Sequence, residues 1–259
     1  MTFLQMIFLF LTAVIAGTLN SVAGGGSFFT FPALAATGVP TILANTTNTV
    51  ALWPGSVASM GAYRREIAAQ KRSTLILMVT TSLIGGVFGA LLLIKSSPKA
   101  FDLVLPFLLL IATLLFTFNA PITTYIRSRT THKGKLSIQA LVGVVCIQLI
   151  IAIYGGYFGG GIGILILATL AIMGMEDIHF MNGLKTLLAS CINGVGVITF
   201  ILAKDVLWPQ AIVMIVGAII GGYGGAYYAR KIKQRWIRLF VMIVGFSLTM
   251  IFFVKAYLL

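Results

Sequence analysis

The stretch NSVAGGGS, Asn20 to Ser27, closes about twenty almost unbroken apolar residues. Asn20, Ser21 and Ser27 carry hydrogen-bonding side chains, and they flank Gly24, Gly25 and Gly26. A short way on, ANTTNT supplies Asn45, Thr46, Asn48 and Thr49. A second set has the same plan: Gly159, Gly160 and Gly161, then Asn182, Lys185 and Thr186, with Ser190 and Asn193 beyond. Amides, hydroxyls and one ammonium are donors, and they suit binding rather than bond-making. A glycine break that opens a new helix adds unpaired backbone N–H groups carrying about half a positive charge. Such an end is a ready anion site. No nucleophile–base pair accompanies these residues, so an enzyme is not expected. The glycines do not fit G-x-x-x-x-G-K-[ST], so no nucleotide site is expected either.

Lys185 is the most informative of these residues. It stands about seven residues into an apolar segment, and no Asp or Glu lies in the middle of any such segment. An intramembrane lysine costs about 3 kcal/mol or more unless it is partnered or hydrated. Two readings follow. Either a bound anion is its partner, or its long stem carries the charge to the interface.

The elements that must position these groups are membrane helices. The chain is 59% hydrophobic and only 9% charged, against about 25% charged in an ordinary soluble domain. Residues 3–22, 41–63, 73–94, 102–120, 138–158, 179–203, 206–229 and 239–258 each approach or exceed the length of about 20 residues that spans a bilayer. A β-barrel would show short alternating strands instead. The fold class is therefore all-α, a polytopic integral membrane protein. The net charge is +13, and most of the basic residues cluster in short loops at 64–72, 127–135 and 230–238. That is the positive-inside pattern, with anionic lipid headgroups as partners and no nucleic acid.

The chain also repeats itself. AGGGSFFTFPALAATG (23–38) faces FGGGIGILILATLAIMG (158–174), ILANTTNTVALWPGS (42–56) faces HFMNGLKTLLASCIN (179–193), and IGGVFGA (84–90) faces IGGYGGA (220–226). Asn45 then pairs with Asn182, Asn48 with Lys185 and Thr49 with Thr186. Each copy reads as a glycine-broken hairpin followed by three spans. The first repeat covers 1–125, with hairpin 3–37 and spans 41–63, 73–94 and 102–120. A basic linker covers 126–137. The second repeat covers 138–259, with hairpin 138–173 and spans 179–203, 206–229 and 239–258. Because residues 3–22 have a counterpart, they are expected to be structure rather than a cleaved leader. With the basic loops in the cytoplasm, 95–101 and 203–207 lie outside. The second repeat is then upside down relative to the first, an arrangement of secondary transporters.

The remaining residues invite plainer readings. Gly85/Gly89 and Gly221/Gly225 have helix-packing spacing, within one chain or between two, so a homodimer is left open. Trp53, Trp208 and Trp236 suit interface anchoring, with packing beside the break as the second reading of Trp53. Cys146 and Cys191 make no disulfide framework, and Glu176, Asp177 and His179 are too few for a metal site.

GTLNSVAGGGSFFTFPAL, ANTTNTVAL and GGYFGGGIGILILATL resemble the TauE/SafE family of sulfite exporters over nearly the whole chain. The resemblance implies a bacterial or archaeal inner-membrane carrier that exports sulfite or an organosulfur anion such as sulfoacetate. It places the family pattern on Asn20, Gly24–Gly26, Asn45, Thr46 and Asn48, and on Gly159–Gly161, Asn182, Lys185 and Thr186. The expectation is an alternating-access secondary transporter with no cofactor, coupled to protons or to sodium. An anion channel using the same glycine-lined site is the alternative.

Overall fold

The computed structural model describes residues 1–22, 25–129, 138–173, 175, 177–228 and 234–258. These form eleven helices: α1 (Phe3–Val22), α2 (Ser27–Ala36), α3 (Thr41–Ala62), α4 (Arg64–Ala68), α5 (Arg72–Lys95), α6 (Pro98–Arg129), α7 (Ile138–Tyr157), α8 (Ile162–Ile172), α9 (Ile178–Leu202), α10 (Trp208–Tyr228) and α11 (Gln234–Tyr257). Four contain stretches long and apolar enough to cross a membrane by themselves: Phe3–Asn20, Arg72–Lys95, Pro98–Phe118 and Phe180–Leu202. Large side chains such as Phe3, Leu4, Phe88, Ile150, Ile198 and Met250 are exposed around the outside. On a soluble protein such a surface would aggregate; in a bilayer it is the lipid face. The chain is a multi-pass helical membrane protein.

Two helices are too short to span. At 1.5 Å per residue, α2 and α8 rise about 15 Å and 17 Å, half of a hydrocarbon core of about 30 Å. Both are sunk into the protein, which supplies the contacts that lipid would deny to their ends. Phe31 and Leu34 of α2, and Ile166 and Leu170 of α8, are almost completely buried. α2 lies among α1, α3 and α11, while α8 lies among α7, α9 and α6. These sets exchange when one half of the chain is swapped for the other. The packing of α1 on α10 likewise mirrors that of α7 on α5, and α3 on α10 mirrors α9 on α5.

α3 and α9 cross each other at the centre and run antiparallel. Gly196 lies by Thr49, Gly194 under the Trp53 ring, and Gly183 against Tyr63 and Glu66. The Trp53 indole N–H donates to the Ser190 carbonyl at 3.0 Å. Trp53 therefore packs between α3 and α9, whereas Trp208 is exposed. Trp236 lies outside the residues whose side chains are described.

One element has no counterpart in the sequence expectations. The basic stretch after α3 contains a short helix, α4, where a loop was expected. Its sequence RREIA consists mainly of good helix formers, and it docks on α9 at Gly183. Of the other two basic stretches, 127–129 continue α6 and 234–238 open α11, while 130–135 and 230–233 lie outside the described residues, as does Glu176.

Glycine sets the closest helix approaches. A Cβ on Gly221 would lie 2.0 Å from the Val14 carbonyl oxygen, and one on Gly89 would lie 2.1 Å from that of Ile153. Neither backbone can yield without moving a helix. Gly89→Ala is therefore expected to cost about 1–3 kcal/mol through forced separation of α5 from α7. Gly143 on α7 has open space around it, so Gly143→Ala should be neutral or stabilising by the helix-propensity gain of about 1 kcal/mol. Thermal unfolding in detergent, followed by intrinsic fluorescence, separates the two variants.

Candidate functional site

The first glycine break is held by a side chain. Asn20, near the end of α1, accepts the Gly26 N–H on its Oδ1 at 2.8 Å. Gly25 has φ +88°, a left-handed conformation natural to glycine. The Gly26 backbone lies so close to α1 that a Cβ would meet the Ala16 carbonyl oxygen at 2.6 Å. These two glycines turn the chain tightly enough for α2 to start beside α1. The second break is held from another direction. The Tyr154 hydroxyl donates to the Gly160 carbonyl at 2.8 Å, and Gly159 and Gly161 take φ +78° and +74°. The first two amides of α8, on Ile162 and Gly163, have no backbone acceptor among the described residues.

Both helix N-termini open on one cavity of about 180 Å³. Asn20, Gly25 and Ser27 reach it from the first hairpin, and Gly159, Gly161, Ile162 and Gly163 from the second. α9 contributes Lys185, Thr186, Ala189 and Asn193, and α3 contributes Leu52, Gly55 and Ser56. Gly17 of α1 and Ala218 and Gly222 of α10 complete the wall. Lys185 lies along the first turn of α8, because a Cβ on Gly163 would touch its Cδ at 3.3 Å. Its ammonium donates to Asn182 Oδ1 at 3.0 Å, its one polar partner among the described residues. The cavity thus presents a cation, hydroxyls, side-chain amides and free backbone N–H groups, with no carboxylate in its wall. Chemically it is equipped to hold a small anion by several hydrogen bonds at once.

The described candidate residues divide into three groups. Asn20, Gly25, Ser27, Gly159, Gly161, Lys185 and Thr186 come together at the cavity. Gly26, Gly160 and Asn182 stand just behind it, through Asn20, Tyr154 and Lys185. Asn45, Thr46, Asn48 and Thr49 do not line it. Asn45 donates to the Tyr157 carbonyl at 3.0 Å. Thr46 donates to the Asp205 carbonyl, and Asn48 accepts from Thr30. Thr49 folds back on the Asn45 carbonyl at 2.9 Å. Asn45, Thr46 and Asn48 tie α3 to the end of α7, to the turn before α10 and to α2, while Thr49 bonds within α3 and the Asn45 Oδ1 has no partner among the described residues. Gly24 lies outside the described residues, and so does the side chain of Ser21.

Ser56 and the walls from α1 and α10 are absent from the sequence-level candidate set. A signal for Ser56 was present: it aligns with Asn193 in the internal repeat, as Leu52 aligns with Ala189, and all four line the cavity. Gly17, Ala218 and Gly222 carry no polar group, so only their position in space identifies them.

A cavity walled by two broken hairpins and sunk among long apolar helices defines a class: polytopic membrane proteins with a cavity at the helix breaks. Residues 9–252 match the family described as sulfite exporter TauE/SafE, and the chain belongs to that family. It is 28% identical over 242 residues to a protein of Haemophilus influenzae named "Probable membrane transporter protein", covering 93% of this chain and 91% of that one. It is 29% identical over 239 residues to "Probable membrane transporter protein YfcA" of Escherichia coli K12, covering 92% and 85%. With "Probable membrane transporter protein ORF9" of Sinorhizobium sp. it shares 30% identity over 256 residues, covering 96% and 92%. No solved structure matches significantly.

The Asn20 carbonyl oxygen has two roles that substitution separates. Asn20→Ala removes the acceptor of a turn amide, and the expected outcome is a loss of about 1–3 kcal/mol in stability. Asn20→Asp keeps an acceptor in place but puts a negative charge beside the cavity. That variant should stay folded, with an unfolding temperature near wild type, yet lose anion binding in a calorimetric titration.

Proposed function

We propose that the protein is a secondary transporter that exports a small sulfur-containing anion, sulfite or an organosulfonate such as sulfoacetate, by alternating access. The observation that carries this reading is the placement of Lys185. It lies against the start of α8, in a cavity that α2 also opens on, and no carboxylate stands in the wall. A tetrahedral or pyramidal oxyanion can accept hydrogen bonds on several oxygens, and the wall offers donors from several directions. The family and the names of the relatives in Haemophilus and Escherichia support a transport role.

Alternating access has its own support in the asymmetry of the site. The cavity takes Leu52, Gly55 and Ser56 from the late part of α3, and Lys185, Thr186, Ala189 and Asn193 from the early part of α9. Since α3 and α9 run antiparallel, these stretches lie towards the same face. The early part of α3 is sealed by Asn45, Thr46, Thr47 and Asn48. In this reading the halves are inverted repeats in the cell membrane, with the basic loops 64–72, 127–135 and 230–238 in the cytoplasm. The cavity then faces the cytoplasm and the asparagine–threonine belt closes the outside. In the opposite state Asn48 and Thr49, the partners of Lys185 and Thr186 in the repeat, take their turn at the wall.

Two experiments test the reading. Calorimetry of purified protein with sulfite, sulfate, sulfoacetate, taurine, thiosulfate and acetate should find one sulfur oxyanion preferred. Lys185→Ala should weaken it about 10- to 100-fold, the value of one charged hydrogen bond. Equal binding by Lys185→Ala would refute the anion site. The second experiment uses single cysteines in a background lacking Cys146 and Cys191. Cysteine at Ser56 should react with a membrane-impermeant thiol reagent from the cytoplasmic face. Cysteine at Thr49 should gain reactivity from the outer face only during turnover. Simultaneous access of both positions would indicate a channel instead.

A further inference from the structure

The sealed end of α3 contains an oxygen that its surroundings leave unmatched. Asn45 is 1% exposed. Its Nδ2 donates to the Tyr157 carbonyl, but its Oδ1 receives no hydrogen bond among the described residues. Tyr157 is the last residue of α7, immediately before the second glycine break. Its carbonyl belongs to the negative end of that helix, which concentrates about half a unit of charge. The bond from Nδ2 holds the carboxamide at this helix end, with its unpartnered oxygen on the same carbon. An unpartnered buried acceptor costs about 1–3 kcal/mol.

The internal repeat shows what the equivalent oxygen does. Asn45 aligns with Asn182, and Asn182 Oδ1 accepts the Lys185 ammonium at 3.0 Å. The residue three places on from Asn45 is Asn48, whose oxygen takes the Thr30 hydroxyl. One half of the molecule thus matches its asparagine oxygen with a built-in cation. The other half keeps the oxygen, replaces the lysine by a neutral amide and sets the oxygen at a helix C-terminus.

We propose that Asn45 Oδ1 and the Tyr157 carbonyl at the end of α7 form part of a binding site for a monovalent metal cation of the sodium type. The donor set argues for this class. Both groups are hard, neutral oxygens. Among the described residues no cluster of His, Cys, Asp or Glu accompanies them that could hold a multivalent or soft ion. A cation here stands at the negative end of α7, while the first turn of α8, across Phe158 to Gly161, faces the anion cavity. One glycine break then presents a cation site on one side and an anion site on the other. That arrangement lets the cation favour the conformation in which the belt is closed. The cation site does not require the cavity to bind an anion.

The test uses the full-length protein in detergent, with unfolding temperature measured against NaCl, KCl and choline chloride at constant total chloride. Wild type should gain stability saturably with Na⁺ and not with choline. Asn45→Asp adds a full charge to the site and should reach half-effect at a Na⁺ concentration at least tenfold lower. Asn45→Leu should lose the Na⁺ response. If the leucine variant does not fold, the aspartate variant decides. Equal curves for the three salts in wild type, or an unchanged half-effect concentration in Asn45→Asp, would overturn the site and leave a water-satisfied amide. Sulfoacetate or sulfite titrations in choline chloride keep the two sites apart: anion binding that survives without Na⁺ leaves the cavity reading standing whatever the salt curves show.

Discussion

A helix that stops inside a bilayer leaves amides and carbonyls with no water to receive them, and the rest of this molecule is arranged around two such stops. Each unmatched group costs several kcal/mol in hydrocarbon. The chain meets part of that demand with side chains close to the breaks: Asn20 for the Gly26 amide, and Tyr154 for the Gly160 carbonyl. It meets the rest by wrapping both breaks in protein. α2 and α8 are surrounded by longer helices, and the close approach of those helices depends on glycines at α1–α10 and α5–α7. The amides still unmatched after this, on Ile162 and Gly163, face the cavity.

The two halves reach the same architecture with different chemistry at equivalent positions. On α9 the sequence Asn-x-x-Lys-Thr puts an ammonium and a hydroxyl into the cavity wall. On α3 the two asparagines of the aligned Asn-x-x-Asn-Thr bond to the end of α7 and to α2, while Thr49, like Thr186, bonds to the carbonyl four residues earlier in its own helix. Buried amides and hydroxyls serve either purpose, because a donor satisfied by a neighbouring helix is no longer available to a ligand. A perfectly symmetric molecule would leave both ends equally open or equally closed. The aligned polar stretches of α3 and α9 are used differently: one lies away from the cavity and the other in its wall.

The cavity wall is also economical in charge. With one ammonium and no carboxylate among its lining residues, it holds no ion pair of its own. The hydroxyls and amides of Asn20, Ser27, Ser56, Thr186 and Asn193 add direction rather than charge.

Much of the architecture was legible in the residues. Long apolar runs leave α-helices as the solution, because only an internally bonded backbone survives in lipid. The Gly-Gly-Gly breaks, the short arms after them and the repeat follow from glycine's cost in a helix and from spacing alone. Lys185 stood out because an isolated charge in an apolar run is expensive. Tertiary structure decided the rest. Whether Asn45, Thr46, Asn48 and Thr49 would face a ligand or another helix depends on what packs against α3, and nothing local encodes that. Gly17, Ala218 and Gly222 became cavity wall through the crossing of α1 and α10, since glycine and alanine have no chemistry to announce a site. α4 was read as loop because a five-residue helix is too short to be stable alone, and it persists through its dock on α9. Local backbone chemistry determines where this chain breaks, but the sharing of hydrogen-bond donors between helices far apart in sequence determines which of its polar groups remain free to bind.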